Sequence, residues 1–303
     1  MSGTLRRLAS NELVKITRRR VVWALLFLNL LFVVAAWLVQ VYYAVRSPDG
    51  FQTGHLLGGT RGLTDAIGQP MTLGRRSGEF IAAALGGLVV GGEFSSGAIR
   101  LTLSRGVNRL HYLLAKLGAL ALACACLVLV GILLSAALTL FLPLVSSLAP
   151  TWSELTPRVL GQLGGLYLGT LANYLLCLLL GAALALLARS AAFGIAASFA
   201  WLIGSDIAAQ ILPVVGASVH SPIGHDLVRL MFTPNVNALY ARSLPPYLRA
   251  TLDKLDGVIA CNPVSARACT DVGLAHAVPI ALAWVLCLTV PAAILFVRRD
   301  VTE

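Results

Sequence analysis

The stretch VVWALLFLNLLFVVAAWLVQVYYAV, running from Val21 to Val45, decides the fold. A helix needs roughly 20 consecutive apolar residues to cross the ~30 Å hydrocarbon core of a bilayer. This run of 25 is interrupted only by Asn29 and Gln40. It is longer than the apolar centre of a secretory signal, and no small-residue cleavage site follows it. It therefore reads as a retained transmembrane helix.

Outward from this run the chain keeps the same character. Of its 303 residues 58% are hydrophobic and 12% charged, where a soluble domain carries ~25% charge; mean hydropathy is +0.84. So little polar surface makes lipid the expected solvent. The net charge of +10 does not point to nucleic acid, because the basic residues bracket apolar runs instead of forming a stripe interleaved with aromatics. Phe80 to Gly92 is a short second span that must borrow length from the Met71–Glu79 side or run past Glu93. Leu110–Leu142, Pro157–Leu187, Ala191–Leu212 and Leu274–Val297 give four more. The expected fold is all-α: one polytopic transmembrane domain over 1–303, with six spans.

Ahead of the first span, Leu5, Leu8, Ala9, Leu13 and Ile16 recur at a helical period, with Arg6, Arg7, Lys15 and Arg18 mostly elsewhere. That pattern suits an interfacial amphipathic helix over residues 1–20; a disordered basic tail is the alternative. Six spans put both termini on one side. The N-terminal tail, residues 93–116, the Arg189 turn and the C-terminus hold thirteen of the 23 basic residues in short segments. The positive-inside rule makes that side cytoplasmic. Gly161, Gly165 and Gly169 give the fourth span a small-residue packing face.

Chemistry of the chain's own is not evident. A phosphate-cradling loop ends in Gly-Lys-Ser/Thr, but Lys15, Lys116 and Lys254 follow Val14, Ala115 and Asp253. No His-Glu-x-x-His helix or Gly-x-Ser-x-Gly elbow occurs. His220, His225 and Asp226 lack a third clustered ligand and read as an ordinary loop; no metal is expected.

The most informative motif is Gly91-Gly92-Glu93-Phe94-Ser95-Ser96-Gly97-Ala98-Ile99-Arg100-Leu101-Thr102-Leu103-Ser104-Arg105-Gly106-Val107-Asn108-Arg109, followed by Leu113-Leu114-Ala115-Lys116. Ser95 or Ser96 is placed to cap a short helix, and Gly97 to allow a sharp turn. Arg100, Arg105 and Arg109 repeat at intervals of four to five, as on a surface helix with cations outward. In order, spacing and position this segment resembles the cytoplasmic loop between the second and third spans of ABC-2 type permeases, the membrane subunits of ABC exporters of the type V kind. The family pattern there is Glu-Phe, Gly, Arg, Leu-Ser-Arg, a further Arg, and a Lys opening the next span.

The resemblance implies that residues 93–109 form the coupling helix region, with Glu93, Phe94, Gly97, Arg100, Ser104, Arg105 and Arg109 receiving force from a separate ATPase. It implies a permease subunit of an ATP-binding cassette exporter that is no enzyme itself. Two copies of the ATPase would bind ATP and Mg, and this chain would hold no cofactor. Further partners would be a second permease copy or a paralogue and membrane lipids, in a bacterial plasma membrane. Headgroup anchoring is the plainer use of the arginines.

Ionisable and amide groups at membrane depth are costly and so are paired or functional. Glu93 is expected to pair with an arginine at the cytoplasmic edge, and Glu79 with Arg75 or Arg76 at the outer edge. Asn29, Asn173, Asp206 and Gln210 are candidate lining of a translocation path, with Asp206 equally readable as a wet helix end. Cys261 and Cys269 flank a short stretch of the outer loop, residues 213–273, and are expected to form a disulfide. That loop alternates apolar and polar residues between prolines and reads as short helices capping the exit, partly at the membrane surface. A self-sufficient secondary transporter would show two repeated halves with midplane charges. An intramembrane lipid-active enzyme would leave the residue 93–116 pattern unexplained.

Overall fold

The computed structural model describes residues 2–46, 63–97, 99, 108–141, 155–218, 223–245, 248 and 274–298. Arg100, Ser104, Arg105, His220, Cys261 and Cys269 lie outside the described residues, so the expectations placed on them are neither met nor overturned here. The described helices are α1 (Ser2–Arg18), α2 (Arg20–Arg46), α3 (Leu63–Leu73), α4 (Arg75–Ser95), α5 (Arg109–Thr139), α6 (Pro157–Ala188), α7 (Ala191–Ser218), α8 (Ile223–Leu230), α9 (Phe232–Ser243) and α10 (Leu274–Arg298). Six of them, α2, α4, α5, α6, α7 and α10, are long and apolar enough to cross a membrane, and no strand occurs among the described residues. The all-α, six-span expectation holds.

The second span takes its missing length from the Arg75–Glu79 side, since α4 begins at Arg75. The helix before it, α3, was not anticipated. Asp65, Gln69 and Pro70 break its apolar pattern, and its 11 residues reach only about 16 Å, too short to cross. It is nevertheless buried from Leu63 to Thr72, packed on α2 and α5. The Ser135 hydroxyl donates to the Ile67 carbonyl at 2.6 Å.

Helix ends follow local chemistry. Asn108 caps α5 by accepting from the Leu110 N–H at 2.9 Å, and Thr156 accepts from Val159 N–H at the start of α6, with Pro157 in the first turn. Arg189 (φ 52°) ends α6 in the left-handed region and turns the chain straight into α7. Ser96 follows the last residue of α4 and its hydroxyl donates back to the Glu93 carbonyl; most of the stretch in which Ser95 or Ser96 is expected to open a helix lies outside the described residues. Gly97 follows with φ 67°, a conformation that costs glycine little.

α4 is the innermost span, with 72% of its apolar window buried against 11% for α10. Its main neighbour is α6, and they meet backbone to backbone. A Cβ at Gly86 would stand 2.1 Å from the Leu178 carbonyl oxygen, and one at Gly181 would stand 2.0 Å from that of Ala83. The Gly161–Gly165–Gly169 face plays a different part. Gly161 has open space around it, while Gly165 and Gly169 admit Ser243 at the end of α9.

α8 and α9 form a hairpin that folds back into the bundle. Gly224 abuts the Leu212 carbonyl of α7, whereas the Leu230 carbonyl accepts from the Trp284 indole at 2.7 Å. The Thr233 and Ser205 hydroxyls are hydrogen-bonded. Leu212 and Ser205 lie 21 and 14 residues from Ala191, so the hairpin dips about 10 Å along α7 before α9 climbs again. Of the expected caps, the described pieces α8 and α9 thus pack among α6, α7 and α10. Buried Phe232, Val236 and Tyr240 explain why: this segment carries an apolar face that needs protein around it.

Candidate functional site

Two ion clusters sit on α4, one at each end. The first gathers where α4 runs into the Arg-rich segment. Lys116 of α5, 2% exposed, holds the Glu12 carboxylate of α1 at 2.7 Å and the Glu93 carboxylate of α4 at 2.7 Å. Lys15 binds Glu12 at 2.5 Å and stands 3.9 Å from Glu93; Arg19 is 3.7 Å from Glu93. The Tyr112 hydroxyl donates to Glu93, and the Lys116 ammonium lies over the Tyr112 ring at 5.2 Å. Burying one ion is prohibitive unless it is paired and its lone pairs are filled; here each carboxylate has a buried ammonium and at least one further donor.

The expected arginine partner of Glu93 is present as Arg19, but at 3.7 Å it is the outer neighbour; Lys116 and Tyr112 make the close bonds. Glu12 and Tyr112 were missed. A signal existed for Glu12, which sits four residues from both Leu8 and Ile16 on the apolar stripe of α1. An acid on an apolar stripe is a group looking for a partner.

Burial alone would raise the Glu12 carboxyl, but the Lys116 ammonium, its hydrogen bond and that of Lys15 outweigh burial and hold it below its ordinary value of 4.5. A depressed folded-state value means the stabilisation is complete above 4.5 and lost as pH falls from there to the depressed value. Docking of α1 on α5 is thus expected to loosen on that acid side, with Lys15, Arg19, Lys116, Tyr112 and Glu93 as the facing groups. Hydrogen exchange of α1 peptides against pH checks this; Glu12→Gln should abolish the transition.

The same end of α4 also carries an apolar anchor. Ile99 is 2% exposed and packs with Tyr112, Leu113 and Phe296, and the Phe94 and Phe296 rings meet edge-on at 6.2 Å. The segment after α4 is therefore tied to α5 by apolar as well as ionic contacts. Arg109 stands at the first residue of α5.

The second cluster centres on Glu79, fourteen residues and about 21 Å from Glu93. Arg75 donates to Glu79 at 2.7 Å and to the Asn237 side-chain oxygen of α9 at 2.5 Å. Arg76 bridges Glu79 and Asp206 of α7, both at 3.1 Å. Asn173 of α6 donates to Glu79 at 3.0 Å. The Arg75 guanidinium lies 5.2 Å from the Tyr240 ring centre. Both expected partners of Glu79 are present.

Two arginines and two acids balance, so four helices are joined without net charge. Arg75 and Glu79 are 2% and 3% exposed, so this pair is enclosed by protein.

Of the four candidate path residues, the structure brings Asn173 and Asp206 together around Glu79 and Arg76. Asn29, buried on the inner stripe of α2 with Val33 and Ala36, and Gln210, one turn beyond Asp206, make no hydrogen bond to that network among the described residues. Gln40 and Gln69, buried on α2 and α3, find no partner for either amide atom among the described residues. Sequence reading had passed over Gln69, Asn237 and Tyr240. Among the described residues no group of three or more His, Cys, Asp or Glu is placed to hold a metal.

A family model described as ABC-2 family transporter protein matches residues 6–301. No curated protein matches the chain.

Proposed function

The chain belongs to the ABC-2 family of transporter proteins, and on that premise we propose that it is the permease subunit of an ATP-binding cassette exporter. It lies in a bacterial plasma membrane as one transmembrane domain over 1–303, with both termini cytoplasmic. It pairs with a second copy or a paralogue and with two copies of an ATPase that bind ATP and Mg. The chain itself is non-catalytic and converts the partner's work into helix movement.

The observation that carries this reading is the cluster of Glu12, Glu93 and Lys116 at the root of residues 93–109. A force received at Phe94, Gly97, Arg100, Ser104, Arg105 or Arg109 reaches α4 and α5 through Glu93 and Lys116, and α1 moves with them through Glu12. Residues 1–20 thus act as an interfacial helix that is part of the coupling element. At the other end of α4, Glu79 would pass the displacement to Asn173, Asp206 and the α8–α9 hairpin, within residues 213–273 that face the outside. The path between the two permeases would be lined by Asp206 and Gln210, with Asn29 and Asn173 supporting it. Arg76 and Asp206 are 33% and 27% exposed; with this cluster inside the bilayer, such exposure would favour a polar path there over bare lipid.

The test is purification of the tagged chain from its host in mild detergent, with its stoichiometric partners identified. A Walker-motif ATPase is expected to copurify, and to be lost when Arg100, Arg105 and Arg109 are replaced by Glu. A chain that transports substrate with no ATPase present would overturn the reading and favour a secondary transporter.

A further inference from the structure

A recess opens sideways between α5, α6 and α10, at the end of the bundle where Glu93 lies. Its walls are Leu113 and Leu117 of α5, Ala183 and Leu186 of α6, and Thr289 and Ala293 of α10, around a volume of about 200 Å³. Its rim is open: Leu114 is 50% and Val290 46% exposed. Among the described residues, Thr289 is the only polar side chain on its walls, and that hydroxyl donates to the Val285 carbonyl at 2.6 Å. With its proton engaged, that hydroxyl offers the recess only an acceptor on otherwise apolar walls. Apolar cavities of ~150 Å³ stay dry and take apolar guests.

The charge around the recess is the second observation. All three helices that wall it reach arginine at this end. Arg109 opens α5, Arg189 caps α6, and α10 ends at Arg298. These positions lie three to five residues beyond the walls at Leu113, Leu186 and Ala293. By helix rise that is about 5–8 Å along the axis, the offset between the upper acyl chain of a lipid and its headgroup. A helix of a second copy, ~10 Å across, is too wide to enter the recess.

We propose that this recess is a binding site for one acyl chain of an anionic phospholipid, whose headgroup lies among the arginine-bearing helix ends. The proposal rests on the orientation given above in one respect only: it makes the lipid one of the cytoplasmic leaflet, where anionic lipids are enriched. The site also bears on coupling. Leu113 belongs to the cluster that buries Ile99, and Leu117, Leu186 and Ala293 pack against that cluster. A chain seated in the recess braces the anchor of residues 93–109 from the lipid side.

The experiment places the full chain, with any subunit that copurifies, in phosphatidylcholine vesicles. These contain a minor fraction of phosphatidylglycerol carrying a photoactivatable diazirine on its acyl chain, and labelled peptides are mapped by mass spectrometry. The expected result is labelling concentrated in 110–117, 182–186 and 289–293. It should be several-fold stronger than with the same diazirine on phosphatidylcholine, and lost in Thr289→Leu and, independently, in Ala293→Leu. Labelling spread evenly to the exposed face of α7 at Val214 and Val215, equal labelling by both lipids, or labelling that survives both fillings would overturn it. So would a crosslink between two copies of the chain through a cysteine introduced at Val290, which would make the face a subunit contact. The readout needs no ATPase, so it fails or succeeds apart from the exporter reading.

Discussion

Replacing Lys116 by Met is expected to lower the stability of the folded chain by about 3–5 kcal/mol, the cost of stripping the partner from a buried ion pair. Lys116 touches both Glu12 and Glu93 at 2.7 Å, which no other cation does among the described residues, and all three side chains are 4% exposed or less. Without it two carboxylates face each other in a nearly dry site, left with the buried Tyr112 hydroxyl and the more exposed Lys15 and Arg19. The contrast is Lys15→Met. Lys15 is 44% exposed, and pairs with one partner in water are worth about 1 kcal/mol or less. The triple variant Glu12→Gln, Glu93→Gln, Lys116→Met should recover most of the loss, because the penalty comes from uncompensated charge and not from a missing attraction. Heating each detergent-solubilised variant and following the surviving monodisperse fraction measures all three. A Lys116→Met chain as robust as Lys15→Met would mean water reaches this cluster freely, and that α1 is not locked to the coupling segment.

The two clusters show what the sequence could and could not disclose. Glu79 has its arginines three and four positions back on one helix, and such neighbours are forced together by the 3.6-residue turn. That pairing was therefore legible. Glu12 and Lys116 are 104 residues apart, Glu79 and Asn173 94, and Arg75 and Asn237 162. Helical period says which face a residue occupies and nothing about which helix will cover that face. The same limit explains the glycines. Gly161, Gly165 and Gly169 make an obvious four-residue ladder, yet only the last two meet a neighbour, and it is the end of α9. Gly86 and Gly181 stand in unremarkable surroundings, and only the crossing of α4 on α6 gives them their role. The six spans were readable because lipid demands long apolar runs from every one of them. α3 escaped, and the short helices α8 and α9 were legible but not their place among the spans, because protein covers them and their sequences could keep Asp65, Gln69, Asn235 and Asn237.

Gly86→Ala is the second substitution expected to do serious damage, although it adds one methyl group. Its Cβ would stand 2.1 Å from the Leu178 carbonyl oxygen and 3.0 Å from the Ala182 nitrogen, both backbone atoms of α6 that no rotamer change can move. The helices must separate, and overpacking of this kind costs about 1–3 kcal/mol or more. Gly118→Ala supplies the control, since nothing lies within 4 Å of a Cβ there. In mid-helix that change should be neutral or stabilise by about 0.5–1 kcal/mol. One chemical change thus has opposite signs on two spans, separated only by what faces each glycine. Function should follow the same division. Pushing α4 off α6 lengthens the 3.0 Å bond from Asn173 to Glu79 while leaving Glu93 on Lys116, so Gly86→Ala should retain α1 docking yet lose transport. Thermal stability and transport measured side by side decide it. Equal behaviour of Gly86→Ala and Gly118→Ala would show that the crossing is loose enough to admit a methyl, and that α4 does not carry movement between the two clusters as a rigid rod held on α6.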